Sequence, residues 1–349
     1  MRRILQGLFL IGFSCLKAQD TVKVVGTLTP DQQAEQDYNS GLTALKKNEC
    51  ASAVDLFTKS LAIKPNFDKA LANRAIAYTH LKKNDEAIKD INEAIKINPQ
   101  NPETFFNKGL IYFQMDKKDS EQVALDNCLR LKADHSEAAY YKALAFYESN
   151  ELDKAIEFYT KAIASNPNYA YAYNDRGSVK RAKNDYPGAI ADYEKAISLD
   201  PSMTFIHNNL GSAYRLNKNY PKAIEAYTKA LQANPAYLTA LINRGATHFE
   251  GNNLKASQAD FEDVLKKDPS NAGAYNNLAS IALKNKDYKK AKDMAARSIQ
   301  LDAKNGPAYY NRGIARQMLH DEEGCCSDWK KALELGVEGA KSFINSSCD

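Results

Sequence analysis

Small and large apolar residues recur along this chain in a single register with a period of 34. Six prolines mark it. Pro65, Pro99, Pro167, Pro201, Pro235 and Pro269 are spaced by 34 residues or by twice that, with Ala133 in the skipped slot and Ala303 and Val337 continuing the series. Taking this slot as position 32 defines nine units: 34–67, 68–101, 102–135, 136–169, 170–203, 204–237, 238–271, 272–305 and 306–339. Position 8 is glycine or alanine in all nine, from Gly41 to Gly313. Position 20 is small everywhere except at Glu121, and position 27 runs from Ser60 through Cys128 to Ala332. Position 24 carries Phe57, Ile91, Leu125, Tyr159, Tyr193, Tyr227, Phe261 and Trp329, with Ala295 as its one small member. Small residues at fixed slots let two helix backbones approach, and large ones fill the complementary space. Each unit therefore predicts two amphipathic helices joined by a turn at positions 15–17.

The remaining prolines agree with this reading. Pro102 and Pro307 start first helices, and Pro187 and Pro221 start second ones. Pro30 sits in Thr29-Pro30-Asp31-Gln32, a capping-box start. None falls in a helix interior, where it would cost about 3 kcal/mol. The slots at positions 8, 20, 24, 27 and 32 resemble the tetratricopeptide repeat family over residues 34–339. The resemblance implies an all-α class: an α-α superhelix, or solenoid, of nine 34-residue helix-turn-helix repeats, with residues 338–348 as a C-terminal capping helix. Unit 102–135 departs most, with Glu121 at position 20 and Ala133 at position 32, and is expected to pack more loosely or in a shifted register. Residues 19–33 form a leader, in which Thr21–Val25 reads either as a short strand or as flexible chain.

Composition narrows the function classes. The chain has 349 residues, a mean hydropathy of -0.54, and 47 basic against 43 acidic residues. Arg2 and Arg3 followed by the apolar run Ile4–Phe13 and by Leu16-Lys17-Ala18 match a secretory signal over residues 1–18, with a buried N-terminal helix as the plainer alternative. Cleavage is expected near Ala18. Cys15 offers a second reading as a lipid-anchored cysteine, which Ser14 fits and Gly12 does not. An exported protein, periplasmic or secreted, follows. Arg2, Arg3 and Lys17 supply three of the charges, so the chain without residues 1–18 is close to neutral. That balance excludes a nucleic-acid binder, which needs a basic field. No segment is long enough to be an integral membrane span.

The five histidines His80, His135, His207, His248 and His320 lack partners at metal-ligand spacing, and there is no Cys-x-x-Cys and no glycine-rich phosphate loop. No cofactor, metal or catalytic constellation is expected. The array leaves almost no sequence for a catalytic domain, and the reading is of a non-catalytic scaffold that binds a protein or peptide. Two alternatives stand beside it: a structural subunit that self-associates through its solenoid surface, and a subunit that presents substrates to an enzyme. The turn Leu335-Gly336-Val337 would fold the capping helix back and bring Cys348 near Cys325 and Cys326. Similarity to the last unit of secreted bacterial repeat proteins implies a Cys326–Cys348 disulfide, with Cys325–Cys348 and free cysteines as alternatives. Cys50 and Cys128 are expected to be reduced and inert.

By resemblance to the family, positions 2, 5, 6, 9, 12 and 13 of the first helix face a concave groove. Position 6 carries Asn39, Asn73, Asn107, Asn209, Asn243, Asn277 and Asn311, interrupted by Tyr141 and Asp175. An amide both donates and accepts, so such a row can pair with the backbone of an extended peptide. The same amides can instead bond within the solenoid. In units one to four Tyr38, Phe106, Phe113, Tyr140 and Tyr147 predict an aromatic groove floor, unless they bury against one another. In units five and six the corresponding slots turn polar and include Arg181 and Arg215. No unit combines lysine at position 5 with asparagine at position 9, so the family's carboxylate-clamp mode is not expected.

Overall fold

The structure, a computed structural model, describes residues 28–348. The signal segment, Cys15 and Thr21–Val25 lie outside the described residues. The first four repeats are α1 (Pro30–Lys46) with α2 (Cys50–Ile63), α3 (Asp68–His80) with α4 (Asn84–Ile97), α5 (Pro102–Gln114) with α6 (Lys118–Leu131), and α7 (Ser136–Glu148) with α8 (Leu152–Ser165). The next five are α9 (Ala170–Ala182) with α10 (Tyr186–Leu199), α11 (Phe205–Leu216) with α12 (Tyr220–Ala233), α13 (Leu238–Glu250) with α14 (Leu254–Lys267), α15 (Ala272–Lys284) with α16 (Tyr288–Leu301), and α17 (Gly306–Met318) with α18 (Glu322–Glu334). The capping helix is α19 (Ala340–Ser347). Among the described residues there is no strand, so the all-α solenoid of paired helices is observed. The array is not one body, however. It divides into two compact units, one ending at Val179 and one beginning at Lys180, within α9.

Each helix pair is built on one contact. The side chain at position 24 is 0% exposed in all nine repeats. It presses on the backbone at position 8: a Cβ added to Gly41 would lie 2.6 Å from the Phe57 ring, and one added to Gly211 2.7 Å from the Tyr227 ring. By register, the smaller Ile91 and Ala295 face Ala75 and Ala279, where a methyl fits; Ala143 opposite Tyr159 breaks the rule. Successive first helices also touch one another, α1 with α3 and α3 with α5 in the first unit, and α11 with α13, α13 with α15 and α15 with α17 in the second. The first helices therefore line the inner side of each unit.

The turns repeat as faithfully as the helices. At position 15, Asn48, Lys82, Asp116, Asn150, Asn184, Lys218, Asn252, Lys286 and His320 all have φ between 56° and 64°. The next amide then reaches back to the carbonyl five residues earlier, as Glu49 does to Ala44 at 2.9 Å and Lys83 to Tyr78 at 2.9 Å. This is a Schellman ending in which asparagine or a longer residue occupies the left-handed place that glycine usually fills. The second helices differ at their starts. Asp185, Asn219, Asn253, Asp287 and Asp321 cap theirs through the side chain, whereas Glu49, Lys83, Lys117 and Glu151 make no such bond.

One expectation changes. Repeat 102–135 is not shifted in register, although a cleft of about 260 Å³ lies between its two helices. Glu121 is buried, its amide donates to Lys117 at 3.0 Å, and Ala155 donates to Glu151 with the same geometry. In place of the asparagine that caps α5, α15 and α17, His135 caps α7, its Nδ1 accepting from the Ala138 amide at 3.2 Å. As the Thr29–Gln32 motif leads one to expect, α1 begins at Pro30 behind a complete capping box between Thr29 and Gln32.

The C-terminal cap follows the expected turn, with Gly336 at φ 87° and the Val337 amide donating to Ala332 at 2.9 Å. Phe343 stacks 4.9 Å from Trp329 and 5.6 Å from Tyr310. Cys326 and Cys348 are joined with Cα atoms 5.6 Å apart, while Cys325 points into the core against Trp329. Cys50, Cys128 and Cys325 are free and buried, and burial pushes the Cys128 thiol up to about 12.

Because a Cβ at position 211 would lie 2.7 Å from the Tyr227 ring, Gly211→Ala is expected to cost about 1–3 kcal/mol from overpacking. A urea titration followed by circular dichroism measures it, and an unchanged midpoint would show that Tyr227 yields freely.

Candidate functional site

The inner face of each unit is formed by the first helices, and the expected asparagines lie along it. Asn39 is exposed; Asn73, Asn107, Asn209, Asn243 and Asn277 are half-buried; Asn311 is buried. Several already have partners, and the partners follow a rule. The side chain at position 6 bonds to position 5 of the preceding repeat. Asn73 donates to the Tyr38 hydroxyl at 3.3 Å, Asn243 to Asn208 Oδ1 at 3.0 Å and Asn311 to Asn276 Oδ1 at 2.8 Å. In the same slots the Tyr140 hydroxyl donates to Asp175 at 2.6 Å. The amide row thus stitches neighbouring repeats. Asn73 and Asn311 also donate to the Lys69 carbonyl at 2.8 Å and to Ser280 Oγ at 2.9 Å, so what they retain for a partner is mainly the carbonyl oxygen.

The aromatic floor expected in repeats one to four is closed. Tyr38, Phe106, Phe113 and Tyr140 are between 3% and 6% exposed, so they are core residues and not groove surface. The cause is position 34, which folds a ring over position 5 of its own repeat: Phe67 lies 4.8 Å from Tyr38, His135 4.7 Å from Phe106 and Tyr169 5.0 Å from Tyr140. Phe113 is covered instead by Tyr141, 5.3 Å away. Tyr147 alone stays half-buried. Of the two readings the aromatics allowed, mutual burial is the one observed.

The second unit keeps a polar inner face. Ser212 donates to the Asn208 carbonyl at 3.0 Å and accepts from the Tyr227 hydroxyl at 3.1 Å. Arg215 reaches Glu250 Oε1 at 3.2 Å through one terminal nitrogen, while its buried Nε has no acceptor. Arg181 is half-buried one repeat earlier on the chain. Among the described residues no group of three or more His, Cys, Asp or Glu is arranged to hold a metal, and no helix is long and apolar enough to cross a membrane.

The opposite face of the first helix carries a feature that the slot reading passed over. At position 7, Arg74, Arg244 and Arg312 grip Asp90, Asp260 and Asp328 at position 23 with two bonds each, of 2.6–3.0 Å. Arg74 and Arg244 also donate to Thr58 and Thr228 of the preceding repeat, both at 3.1 Å. The signal was present in the chain itself, since arginine at 7 and aspartate at 23 occur together in repeats two, five, seven and nine and in no other repeat. Where position 23 shrinks to alanine, at Ala124 and Ala226, a cleft opens instead. One of about 260 Å³ lies beside Phe105, Tyr112 and the 62%-exposed Val123 in the first unit. Another of about 230 Å³ lies beside His207, Leu210 and Tyr214 in the second.

Comparison with known proteins agrees with this geometry. Family models described as tetratricopeptide repeat match residues 102–135, 205–237 and 261–293, and one described as TPR repeat matches 77–116, 143–180 and 177–217. Two solved structures share the fold. The C-terminal part of a TPR repeat-containing protein from Cytophaga hutchinsonii is 20% identical, covers 69% of this chain and 98% of its own, and superposes with a TM-score of 0.58. A tetratricopeptide repeat protein from Parabacteroides merdae is 17% identical, covers 71% and 99%, and gives 0.57. No curated protein matches the chain.

Burial pushes the Asp175 carboxyl up to about 6, against the pull of the bonds from Tyr140 and Asn174. An unfolded aspartate titrates near ~3.9. The folded chain therefore holds this proton more tightly, and the group costs stability above pH 6 that is recovered as the pH falls toward 4. Relative to Asp175→Asn, the native chain is expected to gain on the order of 2–3 kcal/mol between pH 7 and pH 4. Urea midpoints of both proteins at the two pH values decide the matter; parallel curves would mean that Asp175 titrates alike in the folded and unfolded chain.

Proposed function

Since the chain belongs to the tetratricopeptide repeat family, we propose that it is an exported, non-catalytic interaction scaffold that holds an extended peptide segment along the first helices of its second unit. The fold itself is that of a protein–protein interaction scaffold. The observation that carries the finer reading is the row of asparagines at position 6 of α11, α13, α15 and α17, joined by Asn208, Ser212, Asn276 and Ser280 at positions 5 and 9 of α11 and α15 and tied by the Asn208–Asn243 and Asn276–Asn311 bonds. Those bonds fix the amide planes, so a peptide backbone would meet oriented donors and acceptors without an ordering cost. Backbone pairing of this kind tolerates many side chains. The first unit, with its rings buried, acts on this reading as a rigid support.

The test is crosslinking in cells from groove positions, followed by affinity measurement with the captured partner. Asn209→Ala combined with Asn243→Ala is expected to weaken binding about tenfold or more, from two lost hydrogen bonds of about 1 kcal/mol each. Thermal unfolding of the same variant should show the helices intact. Full affinity in the folded double variant would sink the amide-row reading.

The Cys326–Cys348 pair supports export, because such bonds persist in oxidising compartments. Alkylation of the denatured, unreduced protein from its native source should label Cys50, Cys128 and Cys325 and spare Cys326 and Cys348 until a reductant is added. Peptide mass mapping reads this out, and labelling of Cys326 without reductant would count against an oxidising location.

A further inference from the structure

We propose that the inner face of the second unit selects an acidic residue in the bound peptide, seated between Arg181 and Arg215. This rests on the peptide-binding reading above and adds the chemistry of the occupant.

The inner-face slots of the two units differ in charge. In the first unit, positions 2, 5, 6, 9, 12 and 13 carry Glu35, Glu103, Glu137, Glu148 and Asp175 against Lys46 and Lys69. In the second they carry Arg181, Arg215 and Lys284 against Glu250 alone. Arg181 and Arg215 occupy position 12 of successive first helices, and both favour the ionised form of the buried Tyr227 hydroxyl. Arg181 has no carboxylate partner among the described residues. Arg215 is held only by a single bond to Glu250, whose side chain is 41% exposed, and its buried Nε has no acceptor. A guanidinium is built for two-point contact with a carboxylate. Glu250 supplies one point and is free to leave, so it acts as an internal competitor for the place of a ligand carboxylate.

The surroundings favour a peptide over a bare anion. Ser212 lies one helical turn before Arg215 on α11, among the amides at positions 5 and 6. Phe205 and Leu216 on the same helix are 39% and 42% exposed, and they offer apolar contact to residues that flank the acidic one. Two arginines without a wider basic field do not make a phosphate-backbone track.

Three fluorescein-labelled 12-residue peptides, identical in a Leu-, Ser- and Ala-based sequence except for a central Glu-Glu, Gln-Gln or Lys-Lys pair, test the idea on the full mature chain by anisotropy. The Glu-Glu peptide is expected to bind at least fivefold tighter than Gln-Gln, with Lys-Lys weakest. Arg181→Gln with Arg215→Gln should bring Glu-Glu down to the Gln-Gln level and leave Gln-Gln unchanged. Glu250→Gln should tighten Glu-Glu binding about threefold, a change in the opposite direction that misfolding does not produce. Equal affinity for the three peptides overturns the acidic preference while leaving peptide binding in place. Tighter binding of a 12-nucleotide single-stranded DNA than of Glu-Glu overturns the peptide assignment, and binding of none of the three peptides overturns both readings.

Discussion

The contact between position 8 and position 24 sets the geometry of everything else in this molecule. A side chain with no exposed surface meets a helix backbone with little or no side chain, and the helices of a repeat are drawn together at one point and one angle. The contact recurs at the same offset nine times, so the repeats inherit the same internal geometry. The slots at 5, 6, 7, 12 and 23 then fall where neighbouring repeats can bond. Close packing disfavours both a void and an extra methyl, and the two slots vary together in size at Ile91 and Ala295, though not at Ala143 and Tyr159.

Polar residues do a second kind of work between repeats. On the inner side, position 6 pairs with position 5 of the repeat before. On the outer side, an arginine at position 7 is shared between an aspartate of its own repeat and a threonine of the preceding one. These groups are partly buried, and their bonds offset the cost of taking them from water. The buried Asp175 shows the limit of that arrangement, because its two donors do not fully restore what burial removes. A residue type that signals binding when met in a sequence is here first of all a stacking device. Binding, where it occurs, uses the hydrogen-bonding capacity left over.

The two units reflect different solutions to the same plan. In the first, rings at position 34 close over position 5, and the second helices start without side-chain caps. In the second, asparagines and hydroxyls stay at the inner face, every second helix is capped by aspartate or asparagine, and a disulfide fastens the end. Capped second helices therefore coincide with the unit whose inner face stays polar. A site that must hold donors in fixed directions gains from helices whose ends do not fray.

The sequence alone determined the period, the nine helix pairs, a turn within positions 15–17 and the capping helix. Each of these rests on local patterning: size alternation, proline placement and a glycine such as Gly336 leave their mark on neighbouring residues of the chain. The slots at positions 2, 5, 6, 9, 12 and 13 of the first helix were singled out by resemblance to the family. What the slots do was decided only in three dimensions. Tyr38, Phe106 and Tyr140 read equally well as groove or core, because the ring that covers each comes from about thirty residues further along, a distance at which periodicity specifies a face but not its neighbour. The choice between Cys325 and Cys326 was open for the same reason. Adjacent residues on a helix point about 100° apart, and only the packing of Trp329 and Phe343 shows which one faces the core and which faces Cys348.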